Sequence, residues 1–269
     1  MVFYYICSFL NQSVVFVYGD FDGFFDERNS VKNISANDLE QLKNYLSVID
    51  AFSRVSYKSI YVIDYQTQSF EYVSDNPLFL CGLSAQEVKA LGYAFYFRNV
   101  KKQDLELLMK INDVGFSFYE KIPLVERKLY TISYDFHLIN ERNRPVLINH
   151  KLTPIFLNEK GQIWKAICIV SLSSNQTEGN IIISKQGSED FWKFNLDTNI
   201  WEKEQKVKLS EREATVLELS ARGFTINEIS EKLFVTPDTV KFHRRKIFDK
   251  LNVQNISEAL AYAKINKLV

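Results

Sequence analysis

Four helix-start signals crowd into the last quarter of this chain, and no other sequence feature restricts the fold as tightly. Ser210-x-x-Glu213 and Thr225-x-x-Glu228 each match a capping box, in which a hydroxyl and a carboxylate three residues on satisfy first-turn N–H groups. Thr236 precedes Pro237, and proline loses nothing at the first helical position, where its missing N–H would have no partner. Asn255-x-x-Glu258 repeats the signal more loosely, and Gly223 falls where a left-handed residue would close the first helix. The spacing predicts four helices, near 210–222, 225–234, 236–252 and 255–267. Only a minimal turn separates the second from the third, which is helix-turn-helix spacing.

Charge marks the same boundary. Lys plus Arg and Asp plus Glu both total 33 over the 269 residues, so no overall charge draws the chain to a polyanion. From Lys206 to Val269, however, twelve bases face eight acids, a net of +4 that leaves −4 upstream. An acidic larger part with a basic tail is the asymmetry of a chain carrying a nucleic-acid module. The expected divisions are a 1–44 extension, a sensor at 45–175, a hairpin or linker at 176–205 and the helical tail at 206–269.

Upstream of the tail, hydrophobic period two replaces period 3.6. Strands are expected at Ser59–Asp64, Tyr130–Phe136, Pro145–Ile148 and Ile163–Val170, with a hairpin turn at Asn158-Glu-Lys-Gly161. Two more, Asp190–Asn195 and Asn199–Lys203, flank a further turn; the pattern leaves open whether 178–203 is linker or added sheet. Short helices are expected at Ser84–Leu91 and Gln103–Ile111. With 21 Phe and 14 Tyr, the sheet should pack on aromatic side chains.

Several function classes are excluded at this level. Cys7, Cys81 and Cys168 are unpaired in spacing, and His137, His150 and His243 are scattered, so neither a disulfide framework nor a zinc site is expected. The histidines on strands are expected to pack or to face solvent, and His243 to sit at a core edge. No nucleophile elbow, metalloprotease motif, P-loop or dinucleotide fingerprint occurs, so the chain is not expected to be an enzyme and no catalytic residue is assigned. The uncharged stretch Val2–Tyr18 is too short and too polar to span a bilayer and lacks signal-peptide flanks; a cytoplasmic chain without membrane contact is expected.

The third tail helix carries the sharpest expectation. Stepped at 100° per residue, Val240, Ile247 and Leu251 form its buried stripe, and Asp238, Lys241, Phe242, Arg245, Lys246 and Asp249 lie opposite. On an arbitrary helix that basic face would be solvated surface. Here it belongs to the second member of a tight helix-turn-helix, the element that enters the major groove. Lys241 and Arg245 are expected to reach guanine edges, and Phe242, an aromatic among cations, a thymine methyl. Thr239, Arg244, Lys246 and Lys250 are expected on phosphates, which position without specifying.

These residues also carry a resemblance. Lys208-Leu-Ser-Glu-Arg-Glu213, Ala221-Arg-Gly223, Asn227–Leu233, Thr239-Val-Lys-Phe-His243 and Ile247–Val253 closely resemble the LuxR-type helix-turn-helix domain of bacterial transcription regulators, across nearly all of 206–269. The resemblance implies base contacts at Lys241, Phe242 and Arg245 and dimerisation through the fourth helix. The sequence departs from the family at Ile256, where Arg is usual, and at Ser230, where Ala is usual. More loosely, Ser59–Val73 followed by Asp75–Gly92 resembles a PAS domain: a strand pair, an Asn opening a short helix, a Gly-x-Ser-x-x-Glu stretch, then a later helix and three long strands. The Asn-Cys-Arg-Phe-Leu-Gln signature of flavin-adduct photosensors is absent, so Cys81 is expected to be a core cysteine.

The expected fold is therefore an α+β PAS-like sensor domain, an antiparallel sheet with short helices, followed by an all-α four-helix helix-turn-helix domain. The expected partners are double-stranded promoter DNA, RNA polymerase and a second copy of the chain. No cofactor is expected, and the sensor leaves room for a small-molecule ligand. Two rivals remain at this level. One is a receiver domain, for which Val14–Asp22 and Asp64 offer only a superficial match. The other is an adaptor whose basic tail docks on a protein.

Overall fold

The computed structural model describes residues 45–266 and Leu268, together with Phe24, Arg28, Val31 and Ile34. The expectations for Val2–Tyr18, for Val14–Asp22, for Cys7 and for a 1–44 extension fall largely or wholly outside those residues. The chain divides between Glu204 and Gln205 into two compact units, each with its own hydrophobic core.

The first unit is built on one antiparallel sheet. In chain order its elements are α1 (Tyr45–Val55), β1 (Ser59–Asp64), β2 (Ser69–Val73), α2 (Pro77–Leu80), α3 (Ala85–Leu91), α4 (Ala94–Asn99), α5 (Lys102–Tyr119), a 3-10 turn (Leu124–Leu129), β3 (Tyr130–Ile139), β4 (Pro145–Leu157), β5 (Ile163–Leu172), β6 (Gly179–Lys185), β7 (Asp190–Asn195) and β8 (Ile200–Gln205). The strand order is β2-β1-β5-β4-β3-β6-β7-β8. A strand pair, a run of helices and three long strands returning beside the first is the PAS-like arrangement, and the all-antiparallel pairing removes the receiver alternative, whose sheet is parallel.

Every residue of β1 is buried because both faces of the sheet are covered at that point. Ile60 and Val62 turn toward Ile49 on α1, while Tyr61 and Ile63 turn into the main core beneath α2–α5. Asn76 opens α2 by accepting from Leu78 N–H, and Ser84 and Glu87 form a complete capping box on α3. Gly82, at φ +88°, allows a close approach: a Cβ there would lie 2.6 Å from that of Glu141. Cys81 is buried, and burial pushes its thiol up to about 12, as suits an inert core cysteine.

Two features exceed what periodicity showed. Helix α5 runs to Tyr119, well past Ile111, because the interruption at Gly115 and the aromatic residues after it dilute the helical pattern without ending the helix. Residues 178–203 are sheet: β6 pairs with β3, buries Ile181 and Ile183, and leads into the β7–β8 hairpin. Phe118 of α5 packs on Trp192 and Trp201 of that hairpin, with ring centroids 5.3 and 5.1 Å away.

The second unit contains α6 (Glu211–Ala221), α7 (Ile226–Leu233), α8 (Pro237–Leu251) and α9 (Ile256–Asn266). Its start signals act as expected, with complete capping boxes at Ser210 and Thr225 and an N-cap at Thr236 followed by Pro237. At α9 the carboxylate of Glu258 reaches back one residue further, to Gln254 N–H, while Asn255 caps Glu258 N–H. No described helix of either unit is long and apolar enough to cross a membrane.

Burial sets a pH dependence. His150 on β4 is fully enclosed, its Nε2 lies 2.6 Å from the Tyr61 hydroxyl, and loss of hydration lowers its pKa to about 3. The unfolded imidazole takes a proton near pH 6.5 and the folded one does not, so this contribution is present above that pH and is lost as pH falls toward 3. Between pH 6.5 and 5 the expected slope is about 1.4 kcal/mol per pH unit at most, and His150→Gln should remove it. Urea unfolding followed by tryptophan fluorescence reads this directly, because all three Trp lie in the first unit.

Candidate nucleic-acid interface and sensor cavity

The second unit exists to hold α8 in place. Val240, Ile247 and Leu251 bury one stripe of that helix against Val216 and Leu217 of α6, Ile229 of α7 and Ala259 and Ala263 of α9. Between α7 and α8 the chain turns in three residues, with Phe234 left-handed at φ +54°. Arg212 of α6 donates to the Leu233 carbonyl at 3.0 Å, which fixes the end of α7 and therefore the start of α8. Ser230 is buried, but its hydroxyl donates to the Asn227 carbonyl at 2.7 Å, so the departure from Ala leaves no polar atom unmet.

The outward face of α8 assembles the expected residues. Lys241 is exposed and pairs with Asp238 at 3.0 Å, an exposed contact that yields readily to a stronger anion. Phe242 is 51% exposed, and the Lys246 ammonium lies 4.7 Å from its ring centre. Arg245 is exposed and has no hydrogen-bond or ion-pair partner among the described residues. Arg244 is half-buried over the Phe248 ring, and the Thr239 hydroxyl lies 2.9 Å from that of Thr236, within the cap. His243 is half-buried, with an unpartnered, enclosed Nδ1.

Lys250 is held within the unit. Its ammonium donates to Glu213 Oε2 at 2.6 Å and to the Lys208 carbonyl at 3.2 Å, tying the end of α8 to the first turn of α6. Burial alone would raise the Glu213 carboxyl; Lys250 and the Ser210 N–H outweigh it and hold the group below the usual carboxylate range. Helical projection could not show this, because the partner lies 37 residues upstream. Arg212 escaped for the same reason: its role depends on a carbonyl in another helix.

The first unit holds an aromatic cavity of about 90 Å³ between α5 and the sheet. The Tyr65, Tyr93 and Tyr134 side chains line it, and burial raises each phenol's pKa. Beside it the Tyr61 hydroxyl bridges Tyr96 and His150, joining α4, β1 and β4 in one buried chain of hydrogen bonds. Composition foretold the rings, but nothing in the sequence placed them around a common space.

Residues 207–263 match the family model described as bacterial regulatory proteins, luxR family. Among curated relatives, the oxygen regulatory protein NreC of Staphylococcus carnosus is 44% identical over 61 residues, 23% of this chain and 28% of that one. The transcriptional regulatory protein LiaR of Bacillus subtilis is 46% identical over 61 residues, 23% and 29% of the respective chains. The matched stretch thus spans under a third of those relatives' length. Among solved structures, a phage VqmA–DPO complex is similar over 85% of this chain and 90% of its own, at 17% identity and a TM-score of 0.30. The N-terminal domain of a diguanylate cyclase with a PAS/PAC sensor from Marinobacter aquaeolei is similar over 43% and 94%, at 16% identity and a TM-score of 0.33.

Replacing Lys250 with Met should destabilise the second unit by about 1–3 kcal/mol, since it strips a buried carboxylate of its charged donor. Urea unfolding of the variant followed by circular dichroism checks this. The slope of log affinity for DNA against log salt should stay unchanged; a slope lower by about one would return Lys250 to the phosphate contacts.

Proposed function

From a LuxR-type helix-turn-helix domain joined to a PAS-like unit, we propose that this chain is a one-component, sequence-specific regulator of transcription. The observation that carries the reading is the outward face of α8, where Lys241, half-exposed Phe242 and unpartnered Arg245 stand together on the helix that follows a three-residue turn. Such a helix fits the major groove, where an exposed aromatic among cations can gain contact with a base edge. Arg245 and Lys241 read guanine O6 and N7, and Phe242 meets a thymine methyl. Arg244 and Lys246 take phosphates, and Thr239 does so from beside the helix N-terminus, where backbone N–H groups favour an anion.

The chain binds promoter DNA as a homodimer, places RNA polymerase through that contact, and responds to a small molecule held by the first unit. Ligand and DNA then bias one equilibrium, and each changes the other's affinity by the same factor.

Selection of duplexes from a random pool by the full chain, at physiological salt, tests the reading. An inverted repeat with half-sites about one helical turn apart, or a multiple of that, is expected. Arg245→Ala should cost about 1–3 kcal/mol at the selected site and relax preference at one base position in each half. Equal binding of all sequences by the full chain and by residues 205–269 would overturn the reading in favour of a protein-docking adaptor.

A further inference from the structure

The cavity of the first unit restricts what can occupy it. None of the described residues that line it is Asp, Glu, Lys, Arg or His, so an ionised ligand would meet no counter-charge among them. The described lining also has no Cys or Met, so it offers none of the soft axial ligands that hold a metal-bearing group. The space is smaller than the roughly 150 Å³ of an engineered apolar cavity that admits benzene, so a single ring with modest adjustment of the walls is the upper size.

One face of α5 supplies the specificity. Asn112, Gly115 and Tyr119 follow one another at i, i+3 and i+7, and all three line the cavity. Glycine in a helix interior is unfavourable by about 1 kcal/mol against alanine, and here its missing side chain keeps the space open. A Cβ at Gly115 would lie 3.0 Å from Ile132 Cδ1, so any larger residue fills the cavity from that side. The Tyr119 hydroxyl is enclosed and makes no hydrogen bond. Asn112 spends its Nδ2 on the Phe24 carbonyl at 3.1 Å, while its Oδ1 has no partner among the described residues. An enclosed, unmet hydroxyl on the wall of an apolar cavity, with an amide oxygen able to accept on the same helix face, is the signature of a site completed by a ligand.

We propose that this cavity binds an uncharged, single-ring aromatic molecule bearing a hydroxyl or ring N–H, which donates to Asn112 Oδ1 and accepts from or donates to the Tyr119 hydroxyl. The proposal rests on the sensing role given to this unit above and names the chemical class sensed.

The test uses the full chain without DNA and three single-ring probes: phenol, benzene and benzoate. Binding is read by thermal shift and by titration of tryptophan fluorescence. Phenol should bind most tightly, benzene more weakly, and benzoate not measurably. Tyr119→Phe, which keeps the ring, should weaken phenol roughly five-fold and leave benzene unchanged, as expected for loss of one hydrogen bond. Gly115→Leu should abolish binding of both. Benzoate binding as well as phenol, no binding of phenol or benzene, or a phenol-to-benzene ratio unmoved by Tyr119→Phe would each overturn the proposal. Phenol binding that leaves affinity for the selected DNA unchanged would uphold the cavity's chemistry and overturn instead the coupling between ligand and DNA.

Discussion

The first unit depends on the hydroxyl of Tyr61. That residue sits on a strand enclosed on both faces, stacks on Phe79 with ring centroids 4.3 Å apart, and is hydrogen-bonded to Tyr96 and to His150. One phenol thereby joins the helical layer to two strands that are not neighbours in sequence. The interaction is fully buried, where an unmet hydroxyl would cost on the order of 1–3 kcal/mol, so the bond dictates arrangement as much as it adds stability. It also ties down His150, which burial holds neutral, and fixes the wall beside which the cavity opens. On the opposite face, Lys165 is buried between Asp64 and Glu71, each 2.7 Å away, which closes the sheet toward α1. A buried lysine with two carboxylates locks strand register more surely than it stabilises, because desolvation offsets much of the attraction.

The second unit is governed by helix ends instead. Its core is small, and what distinguishes its fold from any other bundle of short helices is where each helix begins. Ser210, Thr225 and Thr236 determine those points locally, each through a side chain reaching a first-turn N–H. Arg212 and Lys250 then fasten one helix to the end of another. The cation set of the tail therefore divides by task, and charge alone does not reveal the division: Lys250 and Arg212 hold the scaffold, while Lys241 and Arg245 are left to the outer face.

Legibility in the sequence followed from the range of the interactions involved. Caps and helical periodicity are effects within four residues, so the limits of α6–α9 and the stripe of Val240, Ile247 and Leu251 could be read almost residue by residue. Strands Ser59–Asp64 and Asp190–Asn195 were equally plain, because period two is local as well. The length of α5 was hidden by Gly115, which looks like a break in sequence and serves as open space in the fold. The partners of Lys250, Arg212 and His150 were hidden altogether. Each contact spans 21 residues or more, and no pattern along the chain records which carbonyl or hydroxyl will arrive opposite a given side chain. The cavity is the extreme case, since it is defined by what seven separate elements leave unfilled.

The same helix connects that cavity with the remainder of the chain. Asn112, Gly115 and Tyr119 line the space, while Phe118, one residue before Tyr119, meets Trp192 and Trp201 of the β7–β8 hairpin. A ligand that shifts α5 by a fraction of an ångström must move Phe118 with it, because close-packed rings do not absorb displacement independently. Trp201 lies on β8, which ends at Gln205, five residues before the Ser210 cap of α6. The hairpin added beyond the five-stranded PAS-like core is thus the last folded element before the DNA-binding unit, and it touches the cavity helix. A first unit lacking only the β7–β8 hairpin would keep every described residue that lines the pocket but lose this contact. A ligand can bias DNA binding only through contacts that differ between two states, and this ring cluster is where such a difference would first leave the pocket.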